Sequence, residues 1–195
     1  MTAFDFLGFG KSGKLSAPFS VADYAEWTKE LLCLLNVENP HVIAHSFGCR
    51  VAVKMAKGDR QVFDKMILTG PAGVVLSRGF RYRFKVKAYR FVKKFAPAFA
   101  ERKFGSKEYR SLSPVMKESY KKIVNEDLRG DAREVENSVL LVVGKEDTVT
   151  PKREAEAYLG SFPNAKLLEI SGGHFAFMEN AVSFNLAAEE FLNYG

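Results

Sequence analysis

The 195-residue sequence predicts an α/β protein in which a mainly parallel sheet is covered by helices on both faces and one helical segment is inserted. Three observations carry this expectation. Short apolar runs alternate with stretches of helical period, the pattern of successive βα units. One run, His41 to Ala44, passes into the helix-like stretch Cys49 to Lys57 through a turn with a small residue two positions to either side of Ser46. Between Val74 and Asn137 the alternation stops, and beyond Asn137 it resumes.

The elements follow in order. Thr2 to Phe6 reads as a first strand. Ser20 caps the next helix, with Asp23 three residues on in the capping position, and Tyr24, Trp27, Leu31 and Leu34 fall on one apolar face. Asn36 to Pro40 turns into the strand before Ser46, and the helix after it leads to the strand Lys65 to Leu68 and the loop Thr69 to Gly73. The later elements are the strand Ser138 to Val143, the helix Lys152 to Leu159, the strand Ala165 to Ile170 and a final helix from about Ala181 to Leu192. The organisation expected is therefore a core first part over 1–73, a helical cap over 74–137 and a core second part over 138–195.

The inserted segment holds the charge. Residues 78–110 contain 12 Lys and Arg against 2 Glu, more than the whole net charge of +6. Phe80, Phe84, Phe91, Phe95 and Phe99 recur at spacings of four or seven, which predicts a helix with an aromatic stripe and a basic opposite face. The stripe reads first as a packed face, with Phe84 and Phe91 as candidate lining for an apolar acyl or aromatic group. The basic face reads as a solvated surface or as one drawn to an anionic substrate or peripheral membrane surface. Nucleic acid is not the expected partner, since the aromatics follow a helical core period and no binding module surrounds them.

Composition narrows the rest. A hydrophobic content of 47% is ordinary for a globular chain, and no apolar run reaches the roughly 20 residues of a membrane span. The amino terminus lacks the basic-then-apolar order of a leader, so a cytoplasmic protein is expected. Cys33 and Cys49 make no metal or redox spacing and read as small buried side chains. No metal site is expected, and Gly8-Phe9-Gly10 lacks the third glycine and the following helix of a dinucleotide loop.

The chemistry-bearing residues lie at the ends of the predicted strands. Ser46, in Ala44-His45-Ser46-Phe47-Gly48, sits where a sharp strand-to-helix turn presents a hydroxyl, with Gly48 and Ala44 supplying small side chains on either side. A serine needs an imidazole to take its proton, and the imidazole needs a carboxylate to orient it. Of the three histidines, His41 and His45 read as structural. His174 follows Gly172 and Gly173 on a loop after an apolar run. Asp147 is the candidate acid, with Glu146 its rival. The order serine, acid, histidine, each just past a strand, gathers all three at one edge of the sheet.

These residues resemble those of the α/β-hydrolase-fold serine hydrolases of the capped type, the group of esterases, proline-iminopeptidase-like enzymes and carbon–carbon bond hydrolases. Asp5-Phe6-Leu7-Gly8-Phe9-Gly10-Lys11-Ser12-Gly13 is similar to that family's D-x-P-G-x-G-x-S segment, with Leu7 in place of proline. His174 through Phe191, with Glu179 and Phe184, resembles its closing loop and helix. The resemblance implies acyl transfer on a small-molecule carbonyl substrate, a carboxylic ester first of all: Ser46 attacks, His174 moves the proton and Asp147 orients the ring. No cofactor is implied. The Phe47 N–H would be one oxyanion donor.

In that family the segment like Asp5 to Ser12 follows a fourth strand, and a His-Gly loop upstream supplies the second oxyanion N–H. Only four residues precede Asp5. The resemblance therefore leaves two functions open: a working serine hydrolase, and a non-catalytic relative that binds a small molecule or partner. It also leads to the expectation of a homo-oligomer pairing near Thr2 to Phe6, or of a monomer whose first strand lies beside the strand of Ser46.

Overall fold

Four of the apolar runs form strands in the computed structural model, which describes residues 1–76, 109 and 111–194. They are β1 (Val42–His45), β2 (Lys65–Thr69), β3 (Ser138–Gly144) and β4 (Ala165–Ile170). All three pairings are parallel, in the order β1-β2-β3-β4, with Ile43 opposite Ile67, Ile67 opposite Leu140 and Val142 opposite Leu168. A parallel sheet is covered on both faces, so its strands are continuously apolar rather than alternating. β2 and β3 show this: Met66, Ile67 and Leu68, and Val139 through Val143, are all buried.

The described helices are α1 (Val21–Leu34), α2 (Phe47–Ala56), α3 (Pro114–Val124), α4 (Arg129–Ala132), α5 (Lys152–Leu159), α6 (Ala176–Glu179) and α7 (Ala181–Tyr194). Phe184, Ala188 and Phe191 of α7 recur at helical spacing and pack with Ile67, Leu140, Val142 and Ile170 on one face of the sheet. Neighbouring residues on a strand point to the other face, so Met66, Leu68 and Leu141 face away from α7. There α2 packs against β1, and α5 against β3 and β4. The capping box predicted for α1 forms: Ser20 Oγ accepts the Asp23 N–H at 3.2 Å and Asp23 Oδ2 accepts the Ser20 N–H at 2.6 Å.

The chain divides into two compact units, Met1–Phe19 with Leu76–Lys122, and Ser20–Val75 with Ile123–Gly195. In the first, Asp5 closes a tight turn. Its Oδ2 accepts the Lys11 N–H at 2.8 Å, and its carbonyl accepts the Ser12 hydroxyl at 2.5 Å. Gly10, at φ +49, lies so close that a β-carbon there would stand 2.2 Å from the Asp5 carboxylate. In the second, the chain leaves at Val75 and returns at Ile123, and just past the return the Leu128 N–H donates to the Gly73 carbonyl at 2.7 Å and the Val75 N–H donates to Asp127 Oδ2 at 3.2 Å.

Three expectations are corrected. Thr2 to Phe6 is not a strand. A strand needs a partner for its backbone groups, and this segment bends instead into the Asp5 turn, with the Phe4 and Phe6 rings in edge contact at 5.5 Å. It therefore does not lie beside β1 as a sheet neighbour, and β1 is an edge strand among the described residues. Leu34 is 80% exposed, because the buried stripe of α1 runs through Val21, Tyr24, Ala25 and Thr28, turned away from Leu34. Cys33 is exposed, and of the two cysteines only Cys49 is buried. Phe84, Phe91 and the rest of the aromatic stripe lie outside the described residues, as does the basic run but for Tyr109. Among the described residues no helix is long and apolar enough to cross a membrane.

Candidate active site

Ser46 stands between β1 and α2 with φ +49 and ψ −107. A non-glycine residue at positive φ costs roughly 1–3 kcal/mol and persists only where its surroundings enforce it. Here β2 does so: the Ser46 N–H donates to the Thr69 carbonyl at 3.0 Å, while the Ser46 carbonyl accepts the Cys49 N–H at 3.1 Å and starts α2. Ala44 fits the turn without depending on glycine at 48, since a β-carbon on Gly48 would lie 3.7 Å from that of Ala44, an ordinary contact.

The loops after β3 and β4 bring Asp147 and His174 to this turn. His174 Nε2 is 3.0 Å from Ser46 Oγ, and His174 Nδ1 is 2.8 Å from Asp147 Oδ2. The side chain of Asp147 is fully buried. Its Oδ1 accepts the N–H groups of Val149 and Thr150 at 2.7 and 2.9 Å, and its Oδ2 also accepts the Thr150 hydroxyl at 2.8 Å. Burial pushes the Asp147 carboxyl up, but the bonds from His174, Thr150 and Val149 together outweigh it and hold the group below the usual carboxylate range. An ionised Asp147 can only accept, so His174 carries its hydrogen on Nδ1 and turns the lone pair of Nε2 toward Ser46. That is the arrangement in which an imidazole can take the serine proton.

Glu146, the rival acid, has a different place. Its carboxylate accepts the Gly172 N–H at 2.7 Å, and its own N–H donates to the Gly172 carbonyl at 3.0 Å. Glu179 accepts the next amide, that of Gly173, at 2.7 Å. Two carboxylates thus grip the two glycine amides before His174. Gly144 permits the approach: a β-carbon there would stand 2.1 Å from the Gly173 carbonyl oxygen. Cys49, three residues past Ser46, is no rival nucleophile, since burial pushes its thiol up to about 12 and it donates to the Ala44 carbonyl.

The sequence reading missed several neighbours. Thr150 completes the Asp147 loop, and a threonine three residues after an aspartate was the available signal for such a side-chain turn. His45 points toward the site rather than away: its ring centroid is 4.7 Å from that of His174. Gly70, at φ +49, lies against both rings. His41 is remote from them, exposed, and paired with Asp64 at 3.3 Å. Phe47 opens α2 directly after Ser46, and its ring meets Tyr24 edge-on at 5.0 Å.

Comparison with known proteins agrees with this architecture. The alpha/beta hydrolase fold family matches residues 1–115, more than half of the chain. An uncharacterized protein of Mycobacterium tuberculosis is 40% identical over 70 residues, 36% of this chain and 20% of that protein. A probable lysophospholipase of Arabidopsis thaliana, BODYGUARD 3, is 32% identical over 97 residues, 49% of this chain and 19% of that protein. The chain thus spans about a fifth of the length of these curated relatives. Among solved structures, a hydrolase from Pseudomonas aeruginosa superposes with a TM-score of 0.73 at 22% identity, covering 97% of this chain and 78% of that one. An esterase from Exiguobacterium antarcticum gives 0.73 at 20% identity over 96% and 79% of the two chains. For a meta-cleavage product hydrolase from Pseudomonas fluorescens the values are 0.70, 20%, 97% and 78%. With the parallel sheet and the sharp turn at Ser46 on the same footing, the chain belongs to the α/β-hydrolase-fold family.

Proposed function

We propose that the protein is a serine hydrolase of small or medium carbonyl substrates, carboxylic esters first, with Ser46 as nucleophile, His174 as general base and acid, and Asp147 as the group that orients the ring. The observation that carries this reading is the continuous hydrogen-bonded chain from Asp147 Oδ2 through His174 to Ser46 Oγ, at 2.8 and 3.0 Å. In the reaction Ser46 Oγ bonds to the substrate carbonyl carbon as its proton passes to His174 Nε2, and His174 returns that proton to the departing alcohol. Water then attacks the acyl-serine by the same route in reverse, releasing the acid and restoring the serine. Asp147 stays ionised throughout and stabilises the imidazolium. The Phe47 N–H, at the amino end of α2 where the helix dipole favours negative charge, is the proposed donor to the oxyanion.

The test is covalent labelling by a fluorophosphonate probe, followed by peptide mapping. Label on Ser46, abolished in Ser46→Ala and His174→Ala and retained in His41→Ala, is the expected outcome. Label on another serine refutes the assignment of the nucleophile. A folded chain that takes no label and turns over no ester is instead a non-catalytic binding relative.

A further inference from the structure

His45 plays no part in the proton transfers above, yet its imidazole is built into their surroundings. Its Nδ1 lies 3.0 Å from Thr69 Oγ1 and 3.2 Å from the Thr69 carbonyl oxygen. The Thr69 hydroxyl donates to the Ala44 carbonyl at 3.2 Å, which leaves Oγ1 able only to accept from His45, and a carbonyl accepts by nature. Nδ1 must therefore carry the hydrogen. The same Thr69 carbonyl takes the Ser46 N–H. Thr69 is 2% exposed, so one buried residue at the end of β2 fixes both the backbone of the nucleophile and the ring of His45.

That ring in turn meets His174. The two centroids are 4.7 Å apart with the planes at 51°, and the Phe175 and Phe177 rings close on His45 at 4.9 Å each. On the β2 side, a β-carbon on Gly70 would stand 2.9 Å from His174 Cε1 and 3.2 Å from His45 Cε1, so both imidazoles occupy the space that a side chain there would need. The bond to Asp147 secures one end of the His174 ring but leaves it free to tilt about that bond. Contacts along the ring must supply the remaining restraint.

We propose that His45 is a positioning residue for His174: locked by Thr69 through Nδ1–H, its ring limits the tilt of His174 about the Asp147 hydrogen bond and keeps Nε2 aimed at Ser46 Oγ. A neutral ring suits the task, since a cation there would oppose the imidazolium that forms on His174. Burial, and then the neighbouring His174, hold His45 below its ordinary range, in keeping with that.

The inference rests on the Ser46–His174 reading, and the experiment separates the two. Its readouts on the full chain are kcat and KM for p-nitrophenyl butyrate, the thermal midpoint, and the low-field proton resonance of His174 Nδ1–H, which needs no turnover. His45→Ala is expected to lower kcat about tenfold, short of the roughly 10²-fold that a 1 Å misplacement costs, with KM within about twofold. The His174 resonance should broaden or vanish. His45→Phe, which keeps a ring, should recover most of kcat, whereas His45→Gln, which keeps a donor to Thr69 but no ring, should not. A His45→Ala variant with wild-type kcat and resonance overturns the proposal, as does equal loss in the Phe and Gln variants. If His45→Ala does not fold, the Phe and Gln pair decides. If the wild type takes no label at Ser46, the hydrolase reading fails and the resonance alone decides the positioning: its loss in the ringless variant upholds it, and its persistence refutes it.

Discussion

Asp147→Asn is the substitution whose outcome the structure determines most closely. The amide could face either way in isolation, but here two backbone donors choose. The Val149 and Thr150 N–H groups, 2.7 and 2.9 Å from Oδ1, require an acceptor at that position. The amide oxygen must stay there, and the NH₂ takes the place of Oδ2, facing His174 Nδ1, which lies 2.8 Å from that oxygen. An NH₂ group donates, so His174 would have to accept at Nδ1 and carry its hydrogen on Nε2, where the Ser46 proton should go. The fold survives, since the Thr150 hydroxyl can reverse its role and accept. The base is lost. A histidine held in the wrong tautomer costs about 10⁴-fold in kcat in a serine protease triad, equivalent to about 5.4 kcal/mol of barrier. Ester hydrolysis and the rate of fluorophosphonate labelling measure this, with the thermal midpoint as the check on folding. A folded Asp147→Asn variant within about tenfold of wild-type turnover would refute the reasoning and return the role of acid to Glu146.

The other predictions concern the supports of the proposed triad. Glu146→Ala removes an exposed acceptor from the Gly172 N–H, so kcat should fall far less than in Asp147→Asn, and Glu146→Gln, which keeps an acceptor oxygen, should match wild type in the same assay. Gly70→Ala brings a β-carbon to 2.9 Å from His174 Cε1 at a backbone φ of +49; denaturant titration should show a loss of about 1 kcal/mol or more, with lower kcat, and wild-type values for both would disprove the close contact. The Asp147 carboxyl is held lower in the folded chain than its unfolded value of about 3.9, so its contribution to stability is present above that pH and drains away as pH falls through the folded value. Urea midpoints measured between neutral pH and about pH 3 should therefore fall less steeply for Asp147→Asn than for wild type.

The strands β2, β3 and β4 could be read from the sequence because each is a short, largely apolar stretch bounded by polar turns, continuous in β2 and β3 and interrupted by Lys166 and Glu169 in β4, and their observed limits differ from the expected ones by a residue or less. The turn at Ser46 was legible for a related reason, the small Ala44 and Gly48 two positions to either side of a serine between an apolar run and a helix. Thr2 to Phe6 looked like a strand by composition, but pairing decides strands, and composition does not report a partner. Choosing between Asp147 and Glu146 required knowing which carboxylate turned inward. Their adjacency in sequence conceals that one is buried and the other exposed. His45 illustrates the limit best: beside Ser46 it reads as structural, yet in parallel register with Thr69 its ring meets that of His174. The small α6 helix had no apolar period long enough to show.

The place where the chain leaves the sheet-bearing unit at Val75 and re-enters at Ile123 is sealed by the Leu128–Gly73 and Val75–Asp127 hydrogen bonds. Behind it, Arg50 of α2 donates to the Glu126 carbonyl at 2.7 Å, and Lys54 of the same helix pairs with Glu126 at 2.7 Å and with Asp131, riveting the returning strand of chain to the helix that starts at Ser46. Once the two ends are brought together, lengthening the excursion between them adds only a logarithmic entropy cost. Changes of length within the stretch between Val75 and Ile123 are therefore expected to leave the anchored residues around Ser46 in place.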